Sequence, residues 1–269
     1  EYIRAKKLFF DGLPKGAFAL TNADDRNGRV MVQNTAAAVS AYSLRAMADF
    51  RCKIVEMHLD GMLLRIDGQE LWVGLLGRFN AYNLLAVYGA AALLGLNRGE
   101  VLRVLSMLHA VSGRFEKIRA ANGTTAIVDY AHTPDALENV IQTIEEIRTP
   151  GQQLIVVCGC GGDRDRTKRP EMAAIAVKYA TTAVFTSDNP RHESPEAILD
   201  DMVAGLEPGA RYLRIADRAE AIRTAVMLSR PGDIILVAGK GHETYQIVGD
   251  VKHPFDDREE IKKRFALLN

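Results

Sequence analysis

The sequence predicts an α/β protein of two parts, residues 1–112 and 113–269, of which the second is a Rossmann-like, doubly wound sheet. Two observations predict this class. After Gly113, short apolar runs of strand length alternate with amphipathic helical segments, which is the pattern of a parallel sheet with crossover helices. In addition, a chain of 269 residues that is 48% hydrophobic is long enough for one large core or two ordinary ones.

The first part combines helices with a predicted antiparallel patch. Aspartate–glycine pairs at residues 60–61 and 67–68 are typical of hairpin turns. One later segment is apolar nearly all round, which indicates a buried helix, and an amphipathic helix follows it. The predicted elements are a strand at 17–22, an apolar stretch at 30–39, strands within 53–76, and helices at 81–94 and 98–110.

The second part has a regular alternation of strands and helices, and three of the helices have proline at or near the start. In such sheets, ligands bind beyond the carboxyl ends of the strands. The most unusual polar residues of the chain follow these predicted strands. Strands are predicted at 125–130, 154–158, 183–187, 212–215 and 234–238, and helices at 134–148, 170–179, 195–205 and 217–228.

The composition excludes several classes of partner. The 34 basic residues balance the 34 acidic ones, so no overall field favours nucleic acid or an anionic membrane. The sequence contains no apolar run of transmembrane length, and its first residues do not resemble a secretory signal. The three cysteines fit neither a disulfide framework nor a zinc knuckle. We therefore expect a cytoplasmic protein with reduced cysteines and small-molecule ligands.

Three loops carry polar groups at the predicted carboxyl edge. Gly159–Arg164 could bring backbone amides close to an anion, but Arg164 stands where a dinucleotide fingerprint requires glycine. In Asp188–Arg191, an arginine fork suits a carboxylate, while aspartate and asparagine oxygens can accept from an ammonium group. This set predicts a site for the zwitterionic end of an amino acid. Gly239–Glu243 is glycine-rich but lacks the Walker spacing, as does the rest of the chain.

Asn80 and Asn83 open the predicted buried helix. Helix capping by Asn80 is one interpretation. The other is recognition of the edge of an adenine ring, because carboxamides carry both a donor and an acceptor.

Taken together, ordered motifs over nearly the whole chain resemble the Mur ligase family. They are Tyr2-x-x-Ala-Lys6, Asn22–Asp25, Gly77–Asn83, Gly113–Glu116, Asp129–Pro134, Gly161–Arg164, Asp188–Arg191 and Gly239–Glu243. The resemblance implies the later part of a central ATP-binding domain followed by the amino-acid-binding carboxyl-terminal domain. It also implies that an amino-terminal domain and the phosphate-binding loop are missing, so that the fragment would be inactive alone.

The reaction implied by the resemblance is an ATP- and Mg²⁺-dependent ligation in peptidoglycan precursor synthesis. The γ-phosphoryl group of ATP activates a carboxylate of UDP-N-acetylmuramoyl-L-alanyl-D-glutamate as an acyl phosphate, and the amine of meso-diaminopimelate attacks it. Charge builds up on phosphoryl oxygens and then on an oxyanion, which requires preplaced cations.

The resemblance also assigns roles to residues. Lys6, as N-carboxylysine, would hold the metal. Lys6, Arg114 and His132 would be catalytic. Asn80, Asn83, Arg114 and Asp129 would bind ATP. The residues expected to bind diaminopimelate are Arg164, Asp188, Asn189, Arg191, Gly239 and Glu243.

Alternatives from other classes remain open at this stage. A related ligase that adds lysine or glutamate would share the central-domain residues without needing the Asp188–Arg191 set. A non-catalytic ligand-binding module is a second alternative. A nicotinamide oxidoreductase is a third, and Arg164 argues against it.

Overall fold

The structure, a computed structural model, describes residues 2–268. The contacts divide the chain into two compact units, Glu1–His109 and Ala110–Asn269, and the division lies close to the boundary predicted at residue 112. None of the helices within residues 2–268 has the length and apolar character needed to span a membrane.

Unit 1 contains a five-stranded sheet in sequential order. The first three strands are parallel to one another, and the third, fourth and fifth strands are connected by antiparallel hairpins, which lie in the predicted antiparallel patch. Its elements are α1 (Tyr2–Asp11), β1 (Phe18–Asn22), α2 (Gly28–Met31), β2 (Ala38–Ser43), β3 (Phe50–His58), β4 (Gly61–Ile66), β5 (Gln69–Val73), α3 (Arg78–Leu93) and α4 (Arg98–Ser106).

One hairpin turn was predicted correctly and the other was displaced by one residue. Asp67-Gly68 connects β4 to β5 with positive φ at both residues, 45° and 87°, as a type I′ turn requires. The loop between β3 and β4, however, is Leu59-Asp60, and Gly61 belongs to the strand. A one-residue shift in the pairing of β3 with β4 would turn the buried face of β4 to solvent, so the burial of that face fixes the register. The fully buried residues of this face are Met62, Leu64 and Ile66.

The prediction that residues 81–94 form a helix buried all round was wrong. Within unit 1, α3 buries one face, which includes Leu84, Leu85 and Tyr88. Val87, on another face, is 54% exposed. An apolar composition does not show which face of a helix has a packing partner.

Unit 2 is the predicted doubly wound domain. Its six-stranded sheet has the order β10-β9-β8-β11-β7-β6, parallel except at the β6 edge. Its elements are β6 (Glu116–Arg119), β7 (Thr125–Asp129), α5 (Pro134–Ile147), β8 (Leu154–Cys158), α6 (Lys168–Tyr179), β9 (Thr182–Phe185), α7 (Pro195–Val203), β10 (Tyr212–Arg214), α8 (Arg218–Leu228), β11 (Ile234–Ala238), β12 (Tyr245–Val248), β13 (Val251–Pro254) and α9 (Asp257–Phe265).

The central strands of unit 2 are continuous apolar runs because both faces of the sheet are covered. Every residue of β7, β8 and β11 is buried. Two of the four predicted helices begin at the predicted residue, α5 at Pro134 and α7 at Pro195, whereas α6 begins two residues earlier and α8 one residue later than predicted. At the start of α5, the Thr133 hydroxyl accepts from Ala136 N at 3.3 Å, and Pro134 follows in the first turn. This packing places the carboxyl ends of β7, β8, β9 and β11 side by side.

Candidate functional site

A cavity of about 380 Å³ lies beyond the carboxyl ends of β7, β8, β9 and β11. It brings together all six residues predicted to hold the amino acid, and His132 lines it as well. The six are Arg164, Asp188, Asn189, Arg191, Gly239 and Glu243. The site prediction missed lining residues that lie close in sequence to the predicted ones, in the same loops or at the start of the following helix, so this proximity was the available signal. The missed residues are Thr133, Gly159, Gly161, Asp165 and Lys168.

The loop after β8 packs tightly against the loop after β9. Gly162 N donates to Asn189 O at 2.9 Å, and a Cβ on Gly162 would lie 1.9 Å from Pro190 O. Asp163 N donates to the Glu193 carboxylate at 2.6 Å. The glycines therefore allow the loops to pack closely, and these two amides are not free to bind an anion, contrary to the expectation from the sequence.

Two arginines of the cavity lack acidic partners within residues 2–268. Arg164 Nη1 donates to Asp163 O at 3.1 Å, and Arg191 Nη1 donates to Gly162 O at 2.8 Å. Both partners are backbone carbonyls. By contrast, Arg166 and Arg169, from the same stretch of chain, form ion pairs with Asp201. Arg164 and Arg191 therefore present cationic donors suited to a ligand carboxylate.

Two carboxylates face the same cavity. Asp188 is 8% exposed, and its carboxylate accepts no hydrogen bond from any residue that the structure describes. Glu243 Oε2 accepts from Asn189 Nδ2 at 2.9 Å and from Lys240 Nζ at 3.1 Å, which leaves Oε1 for a ligand. These acids are suited to an ammonium group.

Gly239 allows Asp188 to occupy this position. Gly239 has φ of 118°, and a Cβ there would lie 2.6 Å from Asp188 Oδ2. A side chain at 239 would be strained and would displace the carboxylate.

Asn189 has a fixed hydrogen-bond polarity. Its Oδ1 accepts from Lys240 Nζ at 3.0 Å and from Ile247 N at 2.9 Å. Both acceptor positions are thus occupied, and the second Nδ2 hydrogen is what remains for a ligand. The suggestion that the Asn189 oxygen accepts from a ligand ammonium group was therefore wrong.

Buried arginines hold the loops that carry these groups. Arg169, with a fully buried side chain, donates to Glu193, Asp201 and Gly161 O. Its hydrogen bond lowers the pKa of Glu193 to about 2. Arg218 makes a bidentate pair with Asp257, and both side chains are fully buried.

His192 connects two of the loops with the turn between β12 and β13. His192 Nδ1 lies 2.8 Å from Asp163 Oδ2, and Nε2 lies 3.3 Å from Asp250 Oδ1. Hydrogen bonding to Asp163, and then to Asp250, raises the pKa of His192. This contact stabilises the loops below the unfolded pKa of His192, about 6.5, and is lost as the pH rises through the higher folded value.

The residues predicted to contact ATP in unit 2 lie near the end of β7. Asp129 is buried, accepts from Phe115 N and Ala131 N at 2.8 Å each, and has its pKa raised by burial. The guanidinium of Arg114 lies 4.7 Å from the centroid of the Tyr130 ring. His132 Nδ1 contacts Tyr130 O at 2.8 Å. Of the two catalytic residues predicted in unit 2, His132 lines the cavity, whereas the guanidinium of Arg114 lies over the Tyr130 ring.

The remaining predicted residues belong to unit 1. Asn80 is not an N-cap, because α3 begins at Arg78 and Asn80 Nδ2 donates back to Leu76 O at 2.7 Å. Asn83 Nδ2 lies 3.5 Å from Asn80 Oδ1. Lys6 is an exposed residue of α1.

This geometry defines a class of protein. It is an α/β domain with a polar cavity, of a size that suits an amino acid, at the carboxyl edge of its sheet. Comparison with protein families is more specific. Residues 1–91 match the Mur ligase middle domain, and residues 113–241 match the glutamate ligase domain of Mur ligases. The chain belongs to the Mur ligase family.

Curated relatives narrow the comparison. The chain is 57% identical to the UDP-N-acetylmuramoyl-L-alanyl-D-glutamate--2,6-diaminopimelate ligase of Phocaeicola vulgatus, over 99% of this chain and 55% of the relative. It is 44% identical to the ligase of the same name from Bacillus cereus, over 98% of this chain and 55% of the relative. The chain thus spans about half the length of these relatives.

Solved structures agree on the fold. A diaminopimelate ligase of the same name superposes with a TM-score of 0.64 at 36% identity, over 99% of this chain and 56% of that one. A folylpolyglutamate synthase from Thermotoga maritima superposes with a TM-score of 0.61 at 18% identity, over 82% of this chain and 50% of that one. The second likeness concerns the fold alone.

Proposed function

We propose that this chain is part of a cytoplasmic, ATP-dependent ligase that adds meso-diaminopimelate to UDP-N-acetylmuramoyl-L-alanyl-D-glutamate in peptidoglycan precursor synthesis. The observation that carries the proposal is the cavity of unit 2, where Arg164 and Arg191 have no acidic partner among residues 2–268 and line the same cavity as Asp188 and Glu243. Relatives of this name at up to 57% identity support it.

The cavity suits the distal end of diaminopimelate. In the proposal, Arg191 and Arg164 pair with the distal carboxylate, and the second Nδ2 hydrogen of Asn189 adds a donor. Asp188 and Oε1 of Glu243 accept from the distal ammonium group. Lysine has the ammonium group but not the carboxylate, so it would leave the arginines unpaired in a partly buried site.

The residues assigned to ATP remain proposals drawn from the family. Asn80 and Asn83 would contact the adenine ring, Asp129 would accept from the ribose hydroxyls, and Arg114 would face the phosphates. Burial raises the pKa of Asp129, and two backbone amides donate to its oxygens. A ribose hydroxyl would add a further donor to the same carboxyl group. In the reaction, ATP would activate the substrate carboxylate as an acyl phosphate, which the diaminopimelate amine then attacks.

Magnesium would neutralise charge on the ATP phosphates when bound. Among residues 2–268, no group of three or more His, Cys, Asp or Glu side chains could hold a metal ion. Lys6, unless carbamylated, is a cation and offers no oxygen ligand. The described residues therefore do not assemble the metal site by themselves.

A substrate panel tests the proposed function. With the complete gene product, ATP and the UDP-linked dipeptide, we expect amide-bond formation with meso-diaminopimelate at a kcat/KM at least about 100-fold above that for L-lysine or L-glutamate. Product formation is followed by mass spectrometry and ADP release. A preference for lysine or glutamate would replace this proposal with the related ligase, and binding without turnover would favour the non-catalytic module.

A further inference from the structure

Lys240 is a buried cation placed directly behind the cavity. Its side chain is fully buried, yet it does not line the cavity itself. Its Nζ donates to Asn189 Oδ1 at 3.0 Å and to Glu243 Oε2 at 3.1 Å. A buried ammonium group requires such partners, because desolvation without them is costly. Lys240 therefore touches two of the polar groups that face the ligand.

The first effect of Lys240 is on the orientation of Asn189, which it fixes together with the Ile247 amide. An ammonium group can only donate, so the amide oxygen of Asn189 must face it. This orientation directs Nδ2 toward Glu243, 2.9 Å away. The cavity side of Asn189 is consequently a donor, which complements a carboxylate and repels an ammonium group.

The second effect is on charge. Lys240 is the cation that contacts Glu243 within the described residues, at 3.1 Å. Without it, Glu243 and Asp188 would be two carboxylates in one cavity with no cation bonded to either. Such a cavity would attract an ammonium group more strongly and a carboxylate less strongly.

We propose that Lys240 is a positioning residue that sets the selectivity of the cavity for an amino acid with a distal carboxylate over one with a distal ammonium group alone. It acts through Asn189 and Glu243 and does not touch the ligand. The inference rests on the proposed function, because it concerns the same cavity.

The test compares Lys240→Met with Lys240→Gln in the complete gene product. Methionine removes the donors and the charge at similar length, whereas glutamine keeps a neutral donor for Asn189. The Kd of meso-diaminopimelate and of L-lysine is measured by calorimetry, and the KM of ATP by kinetics. Lys252→Met is the matched control, because Lys252 contacts the Tyr245 ring at 4.3 Å but is exposed and does not line the cavity.

We expect Lys240→Met to weaken meso-diaminopimelate binding roughly 10- to 100-fold, the effect of losing hydrogen bonds to charged groups. L-Lysine binding should fall much less, so that the ratio of the two Kd values shifts by about tenfold or more. Lys240→Gln should retain part of the preference for meso-diaminopimelate over L-lysine. Lys252→Met should leave both affinities unchanged, and the KM of ATP should stay within about twofold throughout.

Equal weakening for both amino acids would show a merely structural role and overturn the inference. If Lys240→Met fails to fold, as judged by its thermal transition, Lys240→Gln decides: an unchanged ratio also overturns the inference. Wild-type protein that does not prefer meso-diaminopimelate contradicts the proposed function itself, whatever the variants do.

Discussion

Replacing Asp257 by alanine is expected to lower the free energy of unfolding of unit 2 by about 3–5 kcal/mol. The reason is the buried Arg218 guanidinium, which donates to both Asp257 oxygens, at 2.7 and 2.8 Å. Removal of the carboxylate leaves a buried cation without the acid to which it is hydrogen-bonded. Arg218 also donates to Ser187 O and Ala238 O, the residues directly before Asp188 and Gly239. The loops that carry Asp188 and Gly239 should therefore become less ordered when unit 2 is destabilised.

Urea unfolding of the 269-residue chain measures this effect. Far-UV circular dichroism follows both units, while the single tryptophan, Trp72, lies in unit 1 and serves as an internal reference. Glu220→Ala is the matched control, because its ion pair with Arg223 on α8 is half exposed and contributes at most about 1 kcal/mol. A loss for Asp257→Ala no larger than that of the control would contradict the role given to the buried pair.

Arg191→Ala is expected to raise the KM of meso-diaminopimelate about 10- to 100-fold and to leave the KM of ATP within about twofold. The guanidinium of Arg191 has a backbone carbonyl as its closest partner and faces the cavity. Alanine removes the fork but keeps the backbone bonds from Arg191 N to Ile247 O and from Gly249 N to Arg191 O. Because L-lysine has no distal carboxylate to pair with Arg191, its KM as a poor substrate should change little.

Arg166→Ala is the control for this variant. Arg166 lies in the loop after β8, pairs with Asp201, and does not line the cavity. Steady-state kinetics of both variants in the complete gene product should show a selective effect in Arg191→Ala alone. Equal increases in the KM of ATP and of the amino acid would mean that Arg191 supports the fold and not recognition.

The sequence was sufficient for the parts of unit 2 that follow simple patterns. β8 and β11 have the predicted bounds because apolar runs of strand length between turn residues leave few alternatives. The residues of the cavity follow these strands, and in a parallel sheet adjacent carboxyl ends bring their loops together. The convergence of six predicted residues is therefore a consequence of topology.

Elements without a strong pattern were missed. β6 is a charged edge strand, and β12 and β13 form a short hairpin outside the main sheet. α9 is highly charged and buries only Asp257, Ile261 and Phe265. This missed helix supplies the partner of Arg218, 39 residues earlier in the chain. Burial of a charged pair depends on tertiary packing, which local periodicity does not report.

The polarity of Asn189 also required coordinates. The sequence shows a carboxamide next to Asp188, but either end of an amide can face a ligand. Lys240 and the Ile247 amide decide the orientation, and both lie more than 50 residues away in sequence. Long-range donors of this kind leave no signal in the spacing of a motif.

A crystal structure of the complete gene product with meso-diaminopimelate would show whether the cavity of unit 2 binds the distal end of this amino acid. We expect density in the cavity of unit 2, with the distal carboxylate within about 3 Å of the Arg191 guanidinium and the distal ammonium group on Asp188 and Glu243. Density at another site, or an ammonium group placed against Arg191, would contradict it.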